Sequence, residues 1–482
     1  MFEPKRLHPI AAVANAIKQL KGVLVPFAAF LFLGSRTEWD AFYYIAAGIG
    51  IVAALLAGVL SWYRFTYRIE ENELRLEYGI FIMKKRYIPL ERIQSVDRSE
   101  GILQRLFGLV QIKIETAGGG AGIEGSEAVF SAISKMDASQ LEEAISAGKG
   151  KKPITDSQDG LVLPNRTLYK MPLTTLFLMA STSGGVGVVI SAVLAFFFQF
   201  EEFIPYKKVF KNFEHFASTG AVIISILFFV AFLAAWLIAI AGMMLKYGNF
   251  SIEKTEEEFV ISRGLLEKRK ITIPLRRIQA VQIIQNPVRE LLGYAAVHLN
   301  SAGGSAAEKD SSRILILPMV RLEQVGPILG THLQGYDFNT NLIPLPKRAL
   351  GRYMFRYIIF TLPPAAVIAG FFQPWGYFAL LVPAIAALWA YARYRAAGLG
   401  IEGEQLCLQY RLLAKTTVYL QKNKIQSLAM KESYFQRRKK LAKIDASAKS
   451  GTGIAGGSVQ DVDSSDAIAI YSWFSRSGPG SY

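Results

Sequence analysis

Three short basic runs are the residues of this chain best suited to chemistry: Lys84-Lys85-Arg86, Lys268-Arg269-Lys270, and Arg437-Arg438-Lys439-Lys440 with Lys443. Clustered ammonium and guanidinium groups bind anions; they do not make the convergent acid, base or nucleophile of an enzyme. Close to an apolar segment, four or more cations read as a contact for anionic lipid head groups, at about 1 kcal/mol per cation. The competing reading is a solvated face. Arg92, Arg277 and Lys424 form a second set, each followed by Ile-Gln. A guanidinium fork suits a lipid phosphate, but recurrence at the same place in each copy favours a strand-end contact that maintains the fold. Gln94, Gln279 and Gln426 read as partners for backbone groups.

Other chemistries find no support. His8, His215, His298 and His332 lack ligand spacing, so no metal site is expected. A single cysteine, Cys407, rules out an intramolecular disulfide. The glycine-rich stretches 117–125, 301–305 and 450–457 lack the P-loop pattern and read as hairpin loops. No Ser-His-Asp or Cys-His set is evident. The expectation is a non-enzyme with no cofactor.

The basic runs lie within an internal repeat, whose kernel Pro89-Leu90-Glu91-Arg92-Ile93-Gln94 returns as Pro274-Leu275-Arg276-Arg277-Ile278-Gln279 and as Gln421-Lys422-Asn423-Lys424-Ile425-Gln426. From Ile93 to Ile278 is 185 residues, and from Ile278 to Ile425 is 147. The same offsets carry Gln104–Gly108 to Arg289–Gly293 and Gln436–Lys440, and Gly79 to Gly264 and Arg411. One offset held by several features marks a triplicated domain.

Composition places these domains at a membrane. Of 482 residues 51% are hydrophobic, mean hydropathy is +0.27 and the net charge is +16. No base-reading motif accompanies the charge, which argues against nucleic acid. Apolar segments come in pairs: 20–34 with 41–62, 172–200 with 219–245, and 357–372 with 375–391. Each pair precedes one kernel, so the repeating unit is a transmembrane hairpin plus a domain. Lys5, Arg6, Arg64, Arg68, Arg166, Lys170, Lys246, Lys347, Arg348, Arg352, Arg356, Arg393 and Arg395 flank the spans on one side. The opposite side holds Arg36 and a loop in which Lys207, Lys208 and Lys211 are offset by Glu201, Glu202 and Glu214. The positive-inside rule then puts both termini and all three domains in the cytoplasm. Gly50, Ala54 and Gly58, four apart, form a small-residue face for packing between hairpins or between subunits.

Within a domain, Glu73–Tyr78, Leu109–Glu115 and Ala128–Ser134 read as strands. A short helix is expected over 99–107, capped by Ser99 and ended by Gly108. Its counterpart starts at Asn286-Pro287 and ends at Gly293. Closing helices are expected over 137–147 and 322–333, and none in the polar stretch 463–482. Lys440 replaces the glycine of the other copies, which predicts strain or a different helix end there.

The tandem hairpins, the Pro-Leu-x-Arg-Ile-Gln kernel, the Leu-Phe-Gly turn, the Ala117-Gly118-Gly119 stretch and Phe435-Gln436-Arg437-Arg438-Lys439 together resemble bacterial pleckstrin-homology-like membrane proteins of the YdbT type. The resemblance covers nearly the whole chain. It implies a bent antiparallel barrel closed by a helix, a place in the bacterial envelope, a role in tolerance of membrane-active antimicrobials, and a smaller single-domain relative as partner. The expected architecture is an α+β multi-pass membrane protein with three hairpin-plus-PH-like units. The first hairpin and N-terminus are 1–62, the first domain 63–150 and a linker 151–171. The second hairpin is 172–245, its domain 246–335 and the next linker 336–356. The third hairpin is 357–392, and 393–482 is the last domain and tail. The expected function is binding of anionic lipid or a partner membrane protein at the cytoplasmic membrane. The alternative is an exporter or transport-complex subunit for a lipid or peptide, weakened by the lack of ionisable residues inside the spans.

Overall fold

The computed structural model describes residues 4–17, 40–116, 128–148, 166–183, 213–302, 313–450 and 454–475. They form two compact units, and the division falls inside the second repeat, between Pro274 and Leu275.

In the first unit, strands Thr66–Glu70, Glu73–Tyr78 and Lys84–Pro89 make an antiparallel meander, with Lys5–Arg6 on its outer edge. Alternation along the strands sends Leu74, Leu76 and Ile88 inward and leaves the intervening charges at the surface. The kernel is the corner that follows. Leu90–Arg92 form one 3-10 turn, Leu90 and Ile93 are buried on either side of it, and the chain passes into a second sheet. That sheet contains Ile93–Glu100, Leu109–Thr116 and Ala128–Ser134. The two sheets share a core of Leu74, Leu76, Ile88, Ile112, Ile114 and Phe130, and helix Lys135–Gly148 closes it with Leu141 and Ile145. The Ser134 hydroxyl caps that helix by accepting the Asp137 N–H at 3.0 Å.

Strand Ile93–Glu100 would leave an open edge. The meander of the second repeat covers it: Lys268 pairs with Glu100, Arg269 with Ser99 and Lys270 with Arg98. Together they make part of a seven-stranded sheet. The second unit repeats the device. Ile278–Gln285 carries its own partner Tyr294–Ser301 on one side and Lys415–Gln421 of the third repeat on the other, paired from Ala280↔Leu420 to Gln285↔Lys415. The third repeat ends in a sheet of Ile425–Lys431, Leu441–Lys449 and Ile454–Asp463, packed through Leu406, Leu408, Val418, Leu441, Ile444 and Val459.

Three local expectations change. Ser99 stays in the strand, and Gly101 is the N-cap of a shorter helix, Ile102–Leu106. The stretch 322–333 forms a 3-10 turn, Leu322–Gln324, and a π-turn, Gly326–Gly330, because Gly326-Pro327 cannot sustain regular helix. The third repeat does have a closing helix, Ser464–Phe474: Asp463 accepts the Ser465 N–H, and Ala467 and Ile470, three apart, are buried. The polar and glycine residues of 463–482 lie mainly at its ends, whereas 467–474 is largely apolar and buries one side.

Among the described residues two stretches, Lys347–Phe371 and Gly376–Ala396, are long and apolar enough to cross a membrane. They pack along each other, with the Tyr353 and Tyr394 rings edge to face at 6.1 Å and the Arg393 guanidinium over Tyr357. Phe355, Phe360, Val367 and Leu388 on their outer faces are each more than half exposed. Helices Asp40–Tyr63 and Phe213–Tyr247 end in the apolar stretches Gly48–Tyr63 and Phe232–Tyr247. The expected spans at 20–34 and, beyond residue 183, at 172–200 lie outside the described residues.

The helix ends retain one conformation across the copies. Gly108, Gly293 and Lys440 have φ of +66°, +72° and +48°. The third repeat is therefore not rearranged at Lys440; lysine takes the left-handed conformation that glycine takes elsewhere, at a cost of about 1–2 kcal/mol. A Cβ added at Gly108 or Gly293 meets nothing within 4 Å, so φ alone sets the penalty. Gly108→Ala and Gly293→Ala should each lower unfolding stability in detergent by about 1 kcal/mol, read from urea midpoints. Lys440→Gly should raise it by less, since glycine also adds freedom to the unfolded chain.

Candidate functional site

The meander hairpins bring together the chemistry that the sequence distributes. The turn between Glu73–Tyr78 and Lys84–Pro89 carries Ile80, Phe81, Ile82 and Met83, and Lys84, Lys85 and Arg86 follow on the exposed strand start. Phe81 is 97% exposed. The corresponding turn of the second repeat has Leu265 and Leu266 before Lys268, Arg269 and Lys270; that of the third has Leu412 and Leu413 before Lys415. Leu266 is 46% and Leu413 76% exposed. Each tip is thus an uncovered apolar pair with cations behind it. Gly79 and Gly264 permit the first two turns: φ is +129° and +103°, and a Cβ would lie within about 2 Å of a carbonyl oxygen across the turn. Sequence reading located the cations but passed over the apolar pairs; their recurrence at the 185- and 147-residue offsets was the available signal.

Two tips sit at the ends of apolar helices. The backbone N–H of Leu265 donates to the Leu245 carbonyl at 2.9 Å, and that of Gly264 to the Gly248 carbonyl at 2.7 Å. Leu245 lies in the last turns of helix Phe213–Tyr247, where carbonyls have no helical partner. In the first repeat Arg64, just past helix Asp40–Tyr63, donates from Nη1 to the Ile80 carbonyl at 2.7 Å.

The short helices add a second apolar group beside these tips. Leu106 and Phe107 are exposed, and Arg105 donates to the Leu265 carbonyl of the adjoining tip at 3.0 Å. In the second repeat Leu291 and Leu292 are exposed, and neighbouring Glu290 pairs with Arg411 and with Lys415 of the third tip. At the equivalent positions the third repeat has Arg438 and Lys439, exposed with Arg437 and Lys440, while Lys443 is half-buried beside Asp445. Its helix Tyr434–Arg438 is fixed by a capping box between Ser433 and Gln436.

The kernel cations do not converge with these groups into one pocket. Arg92 is exposed at the end of its 3-10 turn, and Arg277 is half-buried at the same place. Lys424 donates to the Arg276 carbonyl at 3.5 Å, a contact between kernels. Of the small-residue face, Gly58 meets helix 10–17, where a Cβ would stand 2.7 Å from the Ala16 backbone. Gly50 has open space, and the side chain of Ala54 lies outside the described set. Among the described residues no cluster of His, Cys, Asp and Glu could hold a metal.

One ionic network escaped the sequence reading. Arg348, Arg352 and Arg356, four apart at the start of helix Lys347–Phe371, were noticed only as flanking charge. Arg348 pairs with Asp463. Arg352 Nε and Arg356 Nη2 reach the two oxygens of Asp461 at 2.8 and 2.9 Å, and Gln436 Nε2 donates to the same carboxylate at 2.9 Å. Asp461 is fully buried and has φ of +58°. The Asp463 carboxyl is pushed up by burial, but hydrogen bonds from Ser465 and the Arg348 guanidinium hold it below the usual carboxylate range. The third domain is thereby tied to helix Lys347–Phe371.

The fold and these tips define a class: membrane proteins built from tandem antiparallel PH-like domains on apolar helices. The family model for the bacterial PH domain matches three times, at residues 19–149, 187–331 and 357–477, and the chain belongs to that family. It is 39% identical over 490 residues to the UPF0699 transmembrane protein YdbT of Bacillus subtilis strain 168, covering 98% of this chain and 99% of that one. A 51-residue stretch is 37% identical to the UPF0699 transmembrane protein YdbS of the same organism, covering 11% of this chain and 32% of YdbS. No solved structure matches the chain.

Replacing Asp461 by Ala leaves two guanidinium groups without their carboxylate. Because Arg352 and Arg356 remain partly solvated, the cost should be about 2–3 kcal/mol, below that of a fully buried pair. Asp461→Asn, which accepts hydrogen bonds and tolerates positive φ, should cost less. Urea unfolding of both variants in detergent checks the order.

Proposed function

We propose that this protein is a non-enzymatic binding module of the bacterial cytoplasmic membrane, whose cytoplasmic PH-like domains seat their hairpin tips among anionic head groups. In this reading Ile80–Met83, Leu265-Leu266 and Leu412-Leu413 enter the boundary between head groups and acyl chains. Lys84–Arg86, Lys268–Lys270 and Arg437–Lys443 meet lipid phosphates. Burial of each apolar side chain contributes about 1.5–3 kcal/mol if complete, and each cation about 1 kcal/mol.

The observation that carries this is the backbone pairing of Leu265 with Leu245. If helix Phe213–Tyr247 crosses the bilayer, that bond sets the second tip at the level where the helix leaves it. An apolar pair there without lipid would be an exposed liability; with lipid it is an anchor. Six spans in three hairpins, as the repeat pattern suggests, would hold every domain at that level. A transport pathway is less well supported: apart from the arginines tied to Asp461 and Asp463, the charges near the described spans sit at their ends.

A spin label tests the reading. Cys407 is the only cysteine, buried, with its thiol pushed up to about 12 by burial, so it stays unlabelled. A nitroxide on Phe81→Cys should report the collision pattern of the lipid interface in nanodiscs containing phosphatidylglycerol. It should shift toward the aqueous pattern when Lys84, Lys85 and Arg86 become Gln, or in 1 M salt, where screening acts over about 3 Å. A fully aqueous label in every lipid mixture would rule the proposal out.

A further inference from the structure

Where the first two repeats share a sheet, a cleft of about 390 Å³ opens beside the second tip. Five cations line it, Arg98, Arg263, Lys268, Arg269 and Lys270, with one carboxylate, Glu100. The register sorts them by face: Arg98, Glu100, Lys268 and Lys270 share one face of the sheet, and Arg263 and Arg269 lie on the other. Lys270 stands directly opposite Arg98 across the shared pair, and Arg269 opposite Arg263 on the neighbouring one. Like charges facing each other across strands destabilise a sheet. Nearby carboxylates offset this in part: Glu100 is held by Arg98 at 3.1 Å and Lys135 at 3.4 Å, and Glu267 by Arg269 at 2.9 Å. Glu142 stands close enough to feel Arg98 and Lys270; burial raises its pKa, and the two cations act against that rise.

The second shared sheet is an internal control. It has the same register, yet the pair equivalent to Lys270–Arg98 is Thr417–Ile283, and Gln285 replaces Glu100 opposite Lys415. Joining two repeats therefore requires neither a cation at the Arg98 position nor one at the Lys270 position. Their presence in the first seam has a cost that the fold does not demand, and an anion between them would remove it. On the opposite face Arg263 is 5% exposed and stacked over the Tyr247 ring at 5.1 Å.

We propose that this seam is a binding site for a phosphate group, carried either by a lipid head group or by free phosphate. The site is composite: Arg98 comes from the first repeat and Lys268 and Lys270 from the second, with Arg263 and Arg269 at its border on the opposite face. Asn249, two residues past the end of helix Phe213–Tyr247, lines it, which sets it close to where that helix would leave a bilayer. Only the lipid source rests on the membrane-surface reading above.

The test transplants the neutral seam into the charged one. Full-length protein in dodecyl maltoside is unfolded thermally with inorganic phosphate and with potassium chloride at equal ionic strength. The measurement is repeated in phosphatidylcholine nanodiscs with and without phosphatidic acid. Wild type should gain stability from phosphate beyond the chloride effect if the free anion binds, or from phosphatidic acid alone if the head group does. Arg98→Ile/Lys270→Thr should be at least as stable as wild type without ligand, and should weaken the response about tenfold or more, as expected for loss of charged hydrogen bonds. Phe81→Ser, which disables a tip and leaves the seam intact, should keep the phosphate response. Phosphate and phosphatidic acid both without effect, chloride matching phosphate with no gain from phosphatidic acid, or an undiminished response in the double variant would overturn the site.

Discussion

A β-strand with an unpaired edge is an invitation to aggregate, and the corner at each kernel creates one. Leu90–Arg92 turn the chain from one sheet to the next, so that Ile93–Glu100 begins with one side open. The fold satisfies that side with the meander of the following repeat. Much else follows from this one pairing. It explains why compactness divides the chain within the second repeat rather than between repeats. It also brings the short helix of one copy beside the tip of the next, through Arg105 and Leu265 in the first unit and through Glu290 and Arg411 in the second.

The third repeat meets a related constraint with different residues. Its short helix exchanges the apolar Leu106-Phe107 and Leu291-Leu292 for Arg438-Lys439. The helix is instead secured by its own capping box and by Gln436 bonding to Asp461. Asp461 in turn binds Arg352 and Arg356, so the last domain is held by ion pairs to an apolar helix, whereas the second tip is held by backbone hydrogen bonds to one. Both solutions use groups that a helix terminus leaves available: free carbonyls in one case, flanking cations in the other.

Much of this was legible in the sequence. The kernel spacing gave the repeats, alternation gave the strands at Glu73–Tyr78, Leu109–Thr116 and Ala128–Ser134, and Gly108 and Gly293 gave the helix ends. What was not legible depends on contacts far apart along the chain. Arg98 and Lys270 are 172 residues apart, and strand pairing at that range leaves no periodic mark. Asp461 looks like any loop carboxylate until its strand places it against Arg352 and Arg356. The closing helix at Ser464–Phe474 was masked by the Ser- and Gly-rich residues that flank its apolar stretch; Ala467 and Ile470, three apart, are its buried side. The apolar tips were visible as residues but not as a surface, because exposure is decided by the hairpin and not by composition.

The central claim is that successive repeats are joined edge to edge, and that this join sets the short helix of one repeat beside the tip of the next. Amide hydrogen exchange, measured by mass spectrometry on the full-length protein in nanodiscs, addresses it directly. Amides in 98–100 and 268–270 should exchange as slowly as the interior strand 109–116, whatever the lipid charge. Fast exchange of 268–270 at the rate of an open edge, with 109–116 still protected, would show that the repeats fold separately and would contradict the account.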